Sequence, residues 1–420
     1  MPVLRNIGRL LTCREPGGQG ALHAITGGAV AFEQGRITWV GRDKDLPARH
    51  DDGQSWDAHG HLVAPGLVDA HTHLCFAGWR ADDFVARVRG ESYQQIARRG
   101  GGIHSTVRKT RAADTEALYD RCRLFLRQML ALGVTTVEAK SGYGLDAQTE
   151  ARVLAVYAAL ATRGPQRLVP TYLGAHVVPR DHAKRRSSYV DLVEQAIALF
   201  ADEGLARFVD VFVEDGAFTV AEARRLAGAA RMAGLGVKLH VDQLSAGAGA
   251  ELAAEVGAIS ADHLEHVSKK GIARLAKAGT VAVSLPIATM YLGTPPLPAR
   301  ALIQGGVPVA VATDFNPGTA PSFHLPLALT LAATLQKMTP AEALKGATLY
   351  AARAVGLDGE VGSLEVGKAA DFVVLDAPDE DHFVYHFRPN ANLLTVIGGV
   401  ARWRAAGFQE LAQEVEGPPS

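Results

Sequence analysis

The residues most able to do chemistry in this chain begin with a His-x-His pair, His71 and His73, which ends the apolar run Leu62 to Val68. If that run is a β-strand, side chains two apart share a face, and both imidazoles project the same way. Two neighbouring imidazoles are much of a metal site, although a short motif alone also fits two histidines in a turn. Later apolar runs end in polar groups of the same kind. Lys140 and Tyr143 follow one, His176, His240 and His263 end others, and Asp314 ends the last. One histidine at a strand end is usually packed or solvated. Five histidines and an aspartate at successive strand ends point to convergence. His71, His73 and His240 as nitrogen donors and Asp314 as an oxygen donor, with a position left open, suit a catalytic zinc or iron. Such an ion polarises a carbonyl and draws the pKa of bound water toward neutrality. Asp314 would then take the proton from that water, and His263 would hydrogen-bond the developing oxyanion.

Groups so far apart in sequence need a scaffold whose strand ends meet. From Leu62 onward, short apolar strands alternate with helical sequence: Val134 to Lys140, Leu168 to His176, Phe208 to Asp215, Gly236 to His240, Ala258 to His263, Val281 to Leu285 and Val307 to Asp314. The helix over 114–132 puts Leu118, Cys122, Phe125, Leu126 and Met129 on one face. With Leu62 to Val68 this makes eight strand–helix units, which predict a closed parallel barrel with its chemistry at the C-terminal rim. A doubly wound open sheet is the alternative, and it leaves the strand-end pattern unexplained. Residues 1–61 read as β, with a hairpin around Gln34-Gly35 inside Gly28 to Gly41. Residues 362–376 and Leu393 to Arg402 read as β again. The expected fold is therefore α/β: a (β/α)8 TIM-like barrel over 62–361, inserted between the halves (1–61 and 362–420) of a small β-sandwich domain. Gly100 to Gly102, after Arg98-Arg99, reads as a mobile loop able to approach a ligand, and 411–420 as a frayed tail.

Composition narrows the classes. Among 420 residues, 48% are hydrophobic and 21% charged, with a net charge of -1, so no strong field favours nucleic acid or an anionic membrane. No apolar run is long enough to span a bilayer, and Met1 to Cys13 lacks the apolar core of a signal peptide. Three cysteines without a Cys-x-x-Cys pair suit a reducing, cytoplasmic compartment. Cys75, close to the histidine pair, reads as a small buried filler. His59 and His61 form a second His-x-His, but they precede their apolar run and read as surface residues.

Pro65-Gly-Leu-Val-Asp-Ala-His-Thr-His73, the later strand-end histidine, Ala261-Asp-His263 and Thr313-Asp314 resemble the amidohydrolase superfamily. Glu138-Ala-Lys-Ser-Gly-Tyr-Gly-Leu-Asp146, Tyr172 to His176, Lys238 to Gln243, Ser260 to His266 and Thr313 to Thr319 resemble its imidazolonepropionase family over essentially the whole chain. The resemblance implies hydrolytic ring opening of 4-imidazolone-5-propanoate to N-formimidoyl-L-glutamate, in histidine degradation, with one zinc or iron ion per chain. It implies His71, His73, His240 and Asp314 as metal ligands, and Arg80, Tyr143, His176, Gln243 and Thr319 as substrate-binding residues. Asn316 and Gly318 match positions that hold the product. Some members carry Glu where this chain has Gln243, and an amide binds but cannot act as a base. Arg80 offers a fork suited to the propionate. Lys140 sits where two-metal relatives carry a carboxylated lysine, and reads here as unmodified. Asp69 reads as structural or as support for the ligands. A homodimer is the family expectation. Another cyclic amidohydrolase or a deaminase of similar build is the competing enzyme reading, and a non-catalytic ligand-binding barrel the competing reading of a different class.

Overall fold

A computed structural model describes residues 2–50, 54–91, 95–96 and 100–409. Arg98-Arg99 and the 411–420 tail lie outside the described residues. The strands in chain order are β1 Val3–Leu11, β2 Ala24–Glu33, β3 Arg36–Arg42, β4 Ser55–Asp57, β5 Leu62–Pro65, β6 Leu67–Asp69, β7 Val134–Lys140, β8 Arg167–Ala175, β9 Phe208–Val213, β10 Gly236–Val241, β11 Ser260–His263, β12 Val281–Ser284, β13 Val309–Val311, β14 Phe372–Leu375, β15 Asn392–Ile397 and β16 Val400–Arg404. They form two sheets. One runs β13-β12-β11-β10-β9-β8-β7-β6, all parallel, and is the barrel. The other runs β16-β15-β14-β5-β1-β2-β3 with β4 beside β1, so both termini share it.

The terminal sheet has its own apolar core, in which Leu4, Ile7, Phe32, Trp56, Val63, Phe372, Val374, Leu394 and Val396 pack together. Phe32 meets Trp56 edge-on at 5.4 Å, the arrangement that ring quadrupoles favour. The hairpin between β2 and β3 turns at Gln34-Gly35, with φ of 48° and 80°, as expected for two left-handed turn residues. A larger core fills and surrounds the barrel. Helix Thr115–Ala131 buries Leu118, Cys122, Phe125, Leu126 and Met129, and Asp114 caps its N-terminus by accepting from Ala117 N.

The structure corrects two expectations, on Leu62 to Val68 and on 362–376, and refines two others. Leu62 to Val68 is not one strand. β5 pairs with β1 and β14 in the terminal sheet, whereas β6 pairs with β7 in the barrel. The break falls at Pro65-Gly66: proline has no N–H for a ladder, and a Cβ on Gly66 would lie 2.4 Å from Thr135 Oγ1. Within 362–376 only Phe372–Leu375 is a strand, because Gly362 and Gly367 take positive φ of 86° and 90° and turn the chain. Leu393 to Arg402 is a hairpin, β15 and β16, reversed at Gly398-Gly399. Gly102 starts helix Ile103–Ala112, and its N–H donates to Asp83 at 2.9 Å.

The barrel closes differently from the rest of its circumference, since no regular ladder joins β13 to β6. Asp314 N donates to His71 O at 3.0 Å, and His73 N donates to Phe315 O at 2.9 Å. Below them the Asp69 carboxylate accepts from Thr313 N at 3.0 Å and from Thr313 Oγ1 at 2.6 Å, fully buried. Truncating Asp69 would leave two buried donors unpaired, at roughly 1–3 kcal/mol each. Asp69→Ala is therefore expected to lower the unfolding free energy of the metal-free protein by about 2–6 kcal/mol in denaturant titrations. A midpoint equal to that of the unmodified chain would show that the seam holds without it.

Candidate metal centre

His71 and His73 lie just past β6, still in extended backbone, since Thr72 between them bridges Phe315. His240 is in β10, His263 ends β11, and Asp314 follows β13. All five side chains are buried. The Nε2 atoms of His71 and His73 each lie 3.4 Å from Asp314 Oδ1. His240 Nε2 lies 3.5 Å from His73 Nε2. The barrel thus brings together the three predicted imidazoles and the predicted carboxylate.

The far side of two of these rings explains their orientation. His71 Nδ1 donates to Asp262 Oδ2 at 2.7 Å, and His240 Nδ1 lies 3.0 Å from Asp210 Oδ2. A carboxylate behind Nδ1 fixes the tautomer and turns the Nε2 lone pair toward the centre. Burial lowers the pKa of His240 to about 3, despite the pull of Asp210, so it is a neutral donor. Burial likewise lowers His73. Burial also opposes charge on His71, but Asp262 and Asp314 outweigh it and raise its pKa. Burial disfavours the Asp314 carboxylate, yet hydrogen bonding with His71 and His73 holds its pKa well below the usual range.

A cation fits this arrangement. His71 Nε2 is buried without a hydrogen-bond partner, and His240 Nε2 approaches His73 Nε2 to 3.5 Å, where burial favours the neutral form of both rings. Tetrahedral coordination with metal–nitrogen bonds of about 2.0–2.1 Å separates nitrogens by about 3.3 Å. Charge points the same way. Four buried carboxylates in this network (Glu138, Asp210, Asp262, Asp314) face two buried ammoniums, Lys140 and Lys238. Two negative charges are left over, which a divalent ion would neutralise.

The remaining predicted residues surround this point. Tyr143 and His176 have ring centroids 5.7 and 5.1 Å from that of His73, and His176 is stacked on it. His176 Nδ1 is 3.1 Å from Gly142 O, and burial with the nearby His73 and His240 pushes its pKa well down. His263 lies 5.6 Å from His240, centroid to centroid, at a φ of 80°. Arg80 is half-buried against Gly318, where an added Cβ would fall 1.4 Å from Arg80 Nη2. Asn316 Oδ1 accepts from Gly318 N and Thr319 N at 2.8 Å, and its Nδ2 donates to Asp314 O at 2.7 Å, so it shapes its own loop. Gln243 is half-buried beyond β10. Cys75 is buried, and His59 and His61 lie in the terminal sheet region, away from the centre.

Sequence reasoning assigned no part to Asp210, Asp262, Glu138, Lys238, Glu265 or Arg87. Glu265 Oε1 is 3.6 Å from His263 Nδ1 and accepts from Thr289 at 3.0 Å. Arg87 donates to Gly318 O at 3.1 Å and covers the Tyr291 ring at 4.9 Å, tying helix Ala81–Val88 to the rim. For Glu138, Asp210, Lys238 and Asp262 the available signal was a charged residue within an otherwise apolar strand; Glu265 and Arg87 lie outside the strands.

Fold and site together define a metal-dependent amidohydrolase, and the chain belongs to the amidohydrolase family, whose sequence profile matches residues 62–402. Within it the chain belongs with the imidazolonepropionases. It is 49% identical to the imidazolonepropionase of Symbiobacterium thermophilum over 86% of this chain and 87% of that one. It is 46% identical to that of Cupriavidus necator (89% and 90% covered) and 45% identical to that of Geobacillus kaustophilus (90% of each). The fold is shared with a zinc-bound adenosine deaminase from Xanthomonas campestris, at a TM-score of 0.70, 20% identity, and coverage of 98% of this chain and 94% of that one. It is shared too with the zinc complex of atrazine chlorohydrolase from Arthrobacter aurescens, at 0.72, 17%, and coverage of 96% and 95%. Among the described residues, no helix is long and apolar enough to cross a membrane.

Removing one nitrogen from this shell should release the ion. His240→Ala is expected to purify with less than about a tenth of the metal of the unmodified chain, a lost ligand costing far more than the 10–100-fold of an outer contact. Elemental analysis of dialysed protein reads the outcome, and full occupancy in the variant would exclude His240 as a ligand.

Proposed function

We propose that this chain hydrolyses the cyclic amide C–N bond of 4-imidazolone-5-propanoate, giving N-formimidoyl-L-glutamate in histidine degradation. The observation that carries the chemistry is the convergence of four buried side chains, His71 and His73 each 3.4 Å from Asp314 and His240 3.5 Å from His73. The substrate is taken from the imidazolonepropionases it resembles over nearly nine-tenths of its length. In this reading those four residues hold one zinc or iron ion per chain. When bound, the ion supplies Lewis-acid polarisation of the ring carbonyl and a water acidic enough to attack near neutral pH. The rest falls to the chain. Asp314 accepts the proton of the attacking water at a carboxylate oxygen and returns it to the departing ring nitrogen. His263 donates to the carbonyl oxygen as negative charge develops on it. Arg80 takes the propionate, a role supported by a buried Nε without a hydrogen-bond partner; the guanidinium packs against Gly318, where any side chain would displace it. Tyr143, His176, Gln243 and Thr319 line the ring. Asn316 acts through the loop it braces, which presents Gly318 and Thr319.

The barrel, expected over 62–361, carries this chemistry, and the small domain expected from 1–61 and 362–420 supports it, with β5 lying in the terminal sheet and β6 opening the barrel. A homodimer in the cytoplasm completes the proposal, in keeping with three free, buried cysteines.

Loss of the imidazolone ultraviolet band in metal-loaded protein tests the reaction. An inert protein that instead deaminates a purine, or opens a different cyclic amide, would overturn it. In the same assay Arg80→Ala should raise KM by roughly 10–100-fold with kcat nearly unchanged, because the propionate keeps its charge throughout. A collapsed kcat at constant KM would place Arg80 at the reacting ring instead. His263→Asn should keep the metal while kcat falls by roughly 10²–10⁴. If His263 were only a packed core residue, the variant would melt at a lower temperature yet turn over normally per folded molecule.

A further inference from the structure

Lys140 is completely buried beneath the imidazoles and is not one of their neighbours in sequence. Its Nζ donates to Asp210 Oδ2 at 2.6 Å and to Glu138 Oε1 at 2.8 Å, and lies 3.5 Å from Asp262 Oδ2. Asp210 and Asp262 are the two carboxylates that back His240 and His71. One ammonium therefore touches both supports of the metal centre. Two hydroxyls add to the network: Thr171 Oγ1 donates to Glu138 Oε1 at 2.6 Å, and Ser260 Oγ donates to Asp262 Oδ1 at 2.6 Å, while Glu138 Oε2 and Asp210 Oδ1 are buried without a hydrogen-bond partner. Lys238 Nζ donates to Ala70 O and Ala354 O, which fixes it beside Glu138 at 3.3 Å.

We propose that Lys140 is the positioning residue of the metal centre: it clamps Asp210 and Asp262 at one point, and through them aims the Nε2 lone pairs of His240 and His71. The same clamp keeps a second cation out. His71, Glu138 and Asp262 are close enough to hold an ion of their own, but Lys140 already supplies the positive charge between Glu138 and Asp262. A lysine engaged this way has no free amine to react with carbon dioxide, so it does not become a bridging carbamate. The inference rests on the metal-centre reading and is independent of the substrate.

Its test turns on a sign. If Lys140 were merely a nearby positive charge, removing it would make the site more negative and bind a divalent cation more tightly. If it positions the supports, its removal releases two carboxylates to repel each other and rotate, and affinity falls. Lys140→Met can fail to fold, because it strands three buried carboxylates. The double variant Lys140→Met/Glu138→Gln removes one charge of each sign and keeps the local balance. Metal-free proteins are titrated with cobalt(II) against a competing chelator, and the visible ligand-field band is read alongside thermal unfolding of the metal-free forms. The expected result is a cobalt affinity weaker by roughly 10–100-fold in the double variant, the range for lost support of a metal ligand, with an altered band shape. Affinity equal to or tighter than that of the unmodified chain, or binding of two ions per chain in unmodified protein, would overturn the proposal. Neither readout uses hydrolysis, so an error about the substrate leaves the result interpretable.

Discussion

The site depends on crowding three imidazoles and a carboxylate together, with His71 and His73 each 3.4 Å from Asp314 and His240 3.5 Å from His73. Neutral imidazoles gain nothing from facing one another, and buried lone pairs without donors carry a desolvation cost. Burial pushes His240 and His73 toward neutrality, which makes them good ligands and poor hydrogen-bond partners for one another. The rings cannot turn away, because Asp262 grips His71 from behind and Asp210 sits behind His240. The backbone bears part of the cost as well. Asp242, His263, Leu264 and Asp314 all take positive φ, of 51°, 80°, 68° and 56°, a region side-chain-bearing residues rarely occupy unless their surroundings impose it.

The rim was legible in the sequence for a simple reason. Histidines ending apolar strands are few, and a barrel gathers strand ends whatever their separation. The layer beneath was much less so. Glu138 and Lys140, Lys238 and His240, and Ser260 and Asp262 are same-face pairs, two residues apart, in apolar strands, and period-two reading finds each of them. Their meaning comes from register. Lys238 is paired across the sheet with Asp210 and Ser260, and His240 with Asp262. Nothing within a single strand states which rung of the neighbour it will meet, so the charges looked isolated when they are mutually neutralising. The division of Leu62 to Val68 was hidden for a related reason. Both halves are fully buried, one in each sheet, and an apolar run says that its residues are covered but not by what.

The seam between β6 and β13 ties these observations together. Elsewhere the barrel is joined by regular parallel ladders, but at the seam it is joined by the backbone of the ligand-bearing segments themselves, Asp314 to His71 and His73 to Phe315. Main-chain hydrogen bonds, with Asp69 below them, thereby support the placement of Asp314 beside His71 and His73. The same short loop then continues to the substrate side. Asp314 carbonyl is braced by Asn316, Asn316 holds the amides of Gly318 and Thr319, and Arg80 N is anchored on Pro317 O at 3.2 Å. One loop, braced by these bonds, therefore spaces the carboxylate proposed to accept the proton from the guanidinium proposed to hold the substrate's acid. Such a loop acts as a ruler. A ligand whose carboxylate sits at the wrong distance from its ring can satisfy Arg80 or reach the metal ligands, but not both, so selection for arm length follows from the geometry of a single turn.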